Sequence, residues 1–357
     1  MTQEQRLPAT DSPATGSSAS CTGLDDGQAV LELLRVHVRL HSEEPASLPP
    51  YLGSTLRGGL ASAMRRTACA APGERECRRC PLAERCLYAR VFEPQVPPGS
   101  SWLRGIDEAP RPYVVEPLQG STPEGERLRL GRGAALSFDL LLVGQAAEAL
   151  PFLIGALRGM AVAGLGTRRH RFSLTAVDIE EPLGSGEYLP LFNGASERFV
   201  GRPQTTHLAF YPPTAPPGDV CRLELVLLTP LRLVAQGALQ RERVDFGLLA
   251  TTILRRASSL ATFHGRGHPE LDFAGLAEQA RHVRTVRSAL RWVENVRYSN
   301  RQQGEVPLGG LVGELVFEGE ISTFVPLLRL GEQIHAGKGT VFGLGRYVLH
   351  GPQSSQG

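Results

Sequence analysis

The 357 residues are enough for two medium-sized domains, each with its own core. Apolar residues make up 41% of the chain, ordinary for a globular protein, and no uninterrupted run approaches the roughly 18 apolar residues needed to span a bilayer. A net charge of +2 argues against a partner held by bulk electrostatics alone.

Residues 1–28 are rich in Thr, Ser, Ala, Gln and Pro and lack an apolar stretch. That excludes a secretory signal, predicts a disordered tail, and points to a cytoplasmic protein with no membrane partner. Leu34, Val36, Val38 and Leu40 alternate with Arg35, His37 and Arg39, which predicts a half-buried strand over residues 30–40 and puts His37 on its polar face. After the turn Leu48-Pro49-Pro50, Leu52, Leu56, Leu60 and Met64 recur at helical spacing over residues 51–66. A cysteine-containing stretch and a Pro/Gly-rich loop over 94–112 follow. A strand (136–143), a helix (147–163) and a strand (172–179) then complete a first domain assigned to residues 29–182.

Residues 183–218 are Pro/Gly-rich and read as a linker. The second domain, 219–351, is expected to contain a strand (221–228), helices over 246–263 and 273–288, strands over 291–299 and 311–317, a helix over 323–335 and a last strand over 346–350. Arginines concentrate in two places. Arg57, Arg65, Arg66, Arg75, Arg78, Arg79, Arg85 and Arg90 form the first group. Arg281, Arg284, Arg287, Arg291, Arg297 and Arg301 form the second, and the spacings of the first four would put them on one helical stripe facing phosphate.

The two halves end alike. Pro151 opens a helix that closes in Gly164-Leu165-Gly166, and Pro326 opens one that closes in Gly343-Leu344-Gly345. Two β-α-β-β-α-β units explain this, the second with a longer loop containing Gly337-Lys338-Gly339-Thr340. Lys338 is the single lysine of the chain. A P-loop is excluded, because Glu332 stands where its first glycine belongs, Gly339 stands where Ser or Thr must follow the lysine, and a helix precedes the loop. Glycines let main-chain amides approach an anion, so Gly337, Lys338, Gly339, Gly343 and Gly345 are candidate RNA contacts.

The segment from His335 to Tyr347 resembles the C-terminal glycine-rich loop of the CRISPR-associated endoribonucleases that process precursor RNA, members of the repeat-associated mysterious protein (RAMP) superfamily. Residues 297–302, 307–313 and 53–59 are similar to the same family, so the likeness touches both halves. It implies an α+β fold of two tandem ferredoxin-like (RAMP/RRM-like) domains, with the glycine-rich loop (337–345) in the second. CRISPR repeat RNA, as precursor and mature guide, would be the partner, with other subunits of an effector complex as further partners. Cleavage would use the 2′-hydroxyl and no catalytic metal, leaving a 2′,3′-cyclic phosphate. Arg57, Arg297, Tyr298 and Arg301 would contact RNA by charge and stacking. The family's histidine in or near the first helix is missing here, which leaves His41, Tyr51, His335 and Lys338 as catalytic candidates. A non-catalytic RNA-binding subunit would share the fold and the loop.

Cys69, Cys77, Cys80 and Cys86 form a Cys-rich insertion in the first domain (69–86). Four thiolates with one Cys-x2-Cys pair predict a closed structural zinc site. These cysteines, with the local arginines, are also the whole case for a zinc-dependent DNA-binding regulator, which lacks a recognition helix.

Overall fold

The protein is described from a computed structural model over residues 29–71, 73–74, 76–96, 108–118, 126–211, 220–299 and 304–354. The predicted tail, residues 1–28, lies outside these. In the first domain, β1 (Ala29–Ser42) leads to α1 (Gly53–Ala68), then β2 (Tyr113–Pro117), β3 (Ala135–Val143), α2 (Leu150–Ala163) and β4 (Phe172–Glu180). The strands pair antiparallel in the order β2-β3-β1-β4, the signature of one β-α-β-β-α-β ferredoxin-like unit. Val36, Val38 and Leu40 of β1 meet Leu56, Leu60 and Met64 of α1 and Leu153 and Leu157 of α2 in one core. The helical stretch Gly144–Ala163 has the length and composition to cross a membrane, but half of it is buried in the protein, where it acts as a core helix.

The second domain repeats the plan. Strand β7 (Val220–Leu231) leads to α3 (Phe246–His264), α4 (Phe273–His282), β8 (Arg284–Val293), β9 (Gly310–Glu318), α5 (Val325–Ile334) and β10 (Tyr347–Ser354), with sheet order β8-β9-β7-β10. Between the domains, β5 (Tyr188–Asn193) and β6 (Thr206–Tyr211) pair with β4 and with the start of β1. The stretch read as a linker therefore contributes strands to the first sheet. Its prolines and glycines punctuate strands, with Leu191, Phe192 and Phe210 buried.

On the face of the first sheet away from α1 and α2, Leu31, Leu33, Val114, Leu141 and Val143 share a core with Phe246, Ile253, Leu328 and Ile334. The helices of the second domain thus lie between the two sheets, giving four layers.

Two expectations fail in instructive ways. The helix predicted over 273–288 stops at His282, and Arg284–Val293 is the edge strand of the second sheet. Only Arg281 of the supposed helical stripe is helical. In the strand, Leu290 and Trp292 pack toward the core while Arg287 and Arg291 lie opposite Val316 and Val312. The second failure is β2, which begins directly after the loop read over 94–112, in a stretch given no element, although Tyr113, Val114 and Val115 are fully buried.

Candidate nucleic-acid interface

The glycine-rich segment folds around the free edge of the first sheet, at β2. On one face of β2, His335 Nε2 lies 3.1 Å from Glu116 Oε1. On the other, the hydroxyl of Tyr51, just before α1, donates to the carbonyl of Phe342. A Cβ on Gly53 would collide with that carbonyl, and one on Gly343 would press on the Val115 carbonyl. The glycines permit close approach of backbone to backbone, and the partner they meet is protein.

Main-chain amides tell the same story. Lys338 N donates to Arg232 O (2.9 Å), Ala336 N to Gly345 O (3.0 Å), Phe342 N to Gly339 O (2.9 Å), Gly343 N to Thr340 O (2.8 Å) and Gly345 N to Pro230 O (3.1 Å). Of the residues expected to offer amides to a phosphate backbone, Lys338, Gly343 and Gly345 have theirs bonded to protein carbonyls instead. What the loop does present is the Lys338 side chain, which is exposed and for which the described residues supply no ion pair.

His335 and Tyr51 are likewise committed to structure. His335 is fully buried, with Nδ1 3.1 Å from Leu344 O, and burial pulls its pKa down against the pull of Glu116. Burial, reinforced by Glu116, raises the Tyr51 pKa far above that of a free phenol. Glu116 itself sits in a charged cluster that also includes Arg35 (2.8 Å) and Arg346 (3.5 Å), while Arg35 reaches Glu180 (3.2 Å) and Gln333 (2.9 Å). Sequence reasoning missed this cluster. Glu116 falls in the unrecognised strand, and the signal that could have found it was the buried run Tyr113-Val-Val.

Arg57, a candidate phosphate contact, points inward. Its Nε donates to the Tyr113 hydroxyl (2.9 Å) and its guanidinium lies 5.9 Å from the Phe92 ring centroid. Arg78 and Arg79 both pair with Glu76, and Arg65 bonds the Glu74 carbonyl and stacks over Tyr88. Arg75 lies outside the described residues. His41, at the end of β1, is exposed, between Ala135 of β3 and Ser173 of β4. His37 is held by Asp139 (2.8 Å), as its place on the polar face predicts.

Arg232, which accepts the Lys338 amide, donates through its guanidinium to the Gly309 carbonyl. Arg241 lies 4.6 Å over the Trp292 ring. The hairpin Val296–Ser299 with Gly304–Pro307 carries Arg297 and Tyr298 on its first strand. Arg301 lies outside the described residues.

The four cysteines do not assemble a metal centre. Among the described residues there is no group of three or more His, Cys, Asp or Glu side chains that could hold an ion. Burial, with Glu93 beside it, pushes the Cys77 thiol up to about 12. Among the described residues the arrangement gives no support to the zinc reading or to the zinc-dependent regulator.

Residues 225–347 match the family model described as CRISPR-associated endoribonuclease Cas6, and residues 31–204 match a model described as AF_1859_N, an N-terminal domain. An uncharacterized protein of Archaeoglobus fulgidus is 25% identical over 324 residues, covering 89% of this chain and 98% of that one. A solved Cas6 product complex superposes with a TM-score of 0.52 at 16% identity, over 89% of this chain and 99% of the other. A Thermus thermophilus Cas6 gives 0.50 at 16% identity, over 90% and 99%. At such identities these two structures establish the fold, and the fold is the tandem ferredoxin-like one. Residues 225–347, the second domain, match the CRISPR-associated endoribonuclease Cas6 model, and the fold of the whole chain is similar to that of solved Cas6 proteins.

Proposed function

We propose that the protein cuts CRISPR precursor RNA within its repeat, without a catalytic metal, and so releases mature guide RNA. The observation that carries this reading is the Lys338 side chain, exposed on a segment whose Lys338, Gly343 and Gly345 amides are bonded to protein and whose flanks are pinned to the first domain. A cation borne on so fixed a backbone can face a phosphorane without the main chain reorganising as charge develops.

In the reaction, the ribose 2′-oxygen attacks the adjacent phosphorus while the bond to the 5′-oxygen breaks. The products are a 2′,3′-cyclic phosphate and a 5′-hydroxyl. His41, the catalytic candidate imidazole left exposed, takes the 2′-hydroxyl proton, and the departing 5′-oxygen takes a proton from solvent water to become the 5′-hydroxyl. Arg297 and Tyr298, on the strand Val296–Ser299, and Arg301 contact the RNA by charge and stacking.

The test is incubation with repeat RNA in excess EDTA, followed by mapping of the cut ends. A single cut leaving a cyclic phosphate is expected. Tight binding with no cut would replace this reading with that of an RNA-binding subunit of an effector complex.

A further inference from the structure

The turn between α2 and β4, residues 164–171, occupies in the first domain the place that the glycine-rich segment occupies in the second. Gly164 and Gly166 take φ of 86° and 75°, and Leu165 and His170 bridge across the turn. This leaves Arg168 and Arg169 exposed at its tip.

A second pair of arginines stands beside them. Arg129 lies on the strand Leu128–Leu130, which pairs with Ala46–Leu48, and Gly166 packs against Leu48. Arg132 sits in the turn whose Gly133 N donates to Ser42 O (2.7 Å), while Glu43 N donates to Arg171 O (3.0 Å). Both turns are therefore tied to the end of β1, where His41 lies.

Several exposed arginines elsewhere are matched locally, Arg78 by Glu76, Arg281 by Glu278, Arg287 by Glu314 and Arg329 by Glu332. The nearby carboxylates Glu43 and Glu44 face Arg171 (4.0 Å) and His170 (3.8 Å). Arg129, Arg132, Arg168 and Arg169 are all exposed and have no carboxylate at ion-pair distance among the described residues. Four unmatched guanidiniums on one sheet end make a surface for a polyanion.

We propose that these four arginines form a second phosphate-binding element, which holds the ribose-phosphate backbone of the RNA on the side of His41 away from Lys338. The proposal rests on the RNA-processing reading above. From β2, which the glycine-rich segment wraps, to β4 is three strand spacings, about 15 Å. At a rise of about 3.4 Å per nucleotide, that span is crossed by about four nucleotides. A strand bound at both elements passes over the end of β1.

The experiment measures equilibrium binding of repeat RNA by fluorescence anisotropy across a salt series. It compares wild type, Arg168→Ala/Arg169→Ala, Arg129→Ala/Arg132→Ala, the fourfold variant, and Arg281→Ala/Arg287→Ala as a matched-charge control. Each lost phosphate contact lowers the slope of log K against log salt by about 0.7. The fourfold variant is expected to lower it by about 3 and to bind at least about tenfold more weakly at moderate salt. Its thermal unfolding should be unchanged, and the control should bind as wild type does. A fourfold variant with wild-type affinity and slope overturns this proposal while leaving the RNA-processing reading intact. A wild-type protein with no affinity for the repeat overturns both.

Discussion

His335 Nε2 and Glu116 Oε1 lie 3.1 Å apart with both side chains buried, so the glycine-rich segment of one domain is joined to the edge strand of the other by a contact neither makes alone. Burial alone would raise the Glu116 pKa, but His335, Arg35 and Arg346 hold it down at about 2. A carboxyl depressed from 4.5 adds stability that is fully present above that value and is lost as pH falls toward 2. Glu116→Gln should lower stability at about pH 7 by on the order of 3 kcal/mol, because it strands buried cations. It should also flatten the acid side of the stability curve. Urea unfolding at about pH 7 and about pH 3 checks both, and an acid-side fall as steep as wild type would refute the assignment.

Gly345 has φ 73°, and a Cβ there would overlap the Ala336 carbonyl. Gly345→Ala should therefore destabilise the protein by about 1–3 kcal/mol. If the glycine served only to admit RNA, thermal stability would be untouched and binding alone would fall. Differential scanning calorimetry beside a binding titration separates the two.

Arg57→Ala should behave as a core mutation. Losing its bond to the Tyr113 hydroxyl and its position over Phe92 should cost about 2 kcal/mol of stability. RNA affinity per folded molecule should not change. A drop in affinity with no change in unfolding midpoint would return Arg57 to the RNA surface.

These cases mark where the sequence was readable. The alternation Leu34, Val36, Val38, Leu40 announced β1 because one face is wholly buried against α1 and α2. The repeat of proline-started helices ending in Gly-Leu-Gly announced two like domains, because each helix must turn back into a fourth strand. Edge strand β8 was not legible, since an exposed strand has little apolar pattern and its arginine spacing imitated a helix. Nor were the roles of His335, Tyr51 and Arg57. A histidine beside glycines looks the same in sequence whether it faces solvent or a buried carboxylate from a segment 219 residues earlier (335 minus 116). Only pairing across domains decides that.

Lys338→Ala should leave the fold intact, because the Lys338 bond to Arg232 uses main-chain atoms and the side chain is exposed. Single-turnover cleavage should slow by on the order of 100-fold, as when one group stabilising an oxyanion is removed. Lys338→Arg should restore binding more fully than rate, since a planar fork cannot occupy the same point as a compact ammonium. His41→Ala should also slow cleavage by roughly 100-fold, with little change in affinity. Quench-flow rates set against anisotropy titrations test each substitution. Should both alanine variants cut at the wild-type rate, the chemistry lies elsewhere on the surface, and neither the loop cation nor the β1 imidazole touches the scissile phosphate.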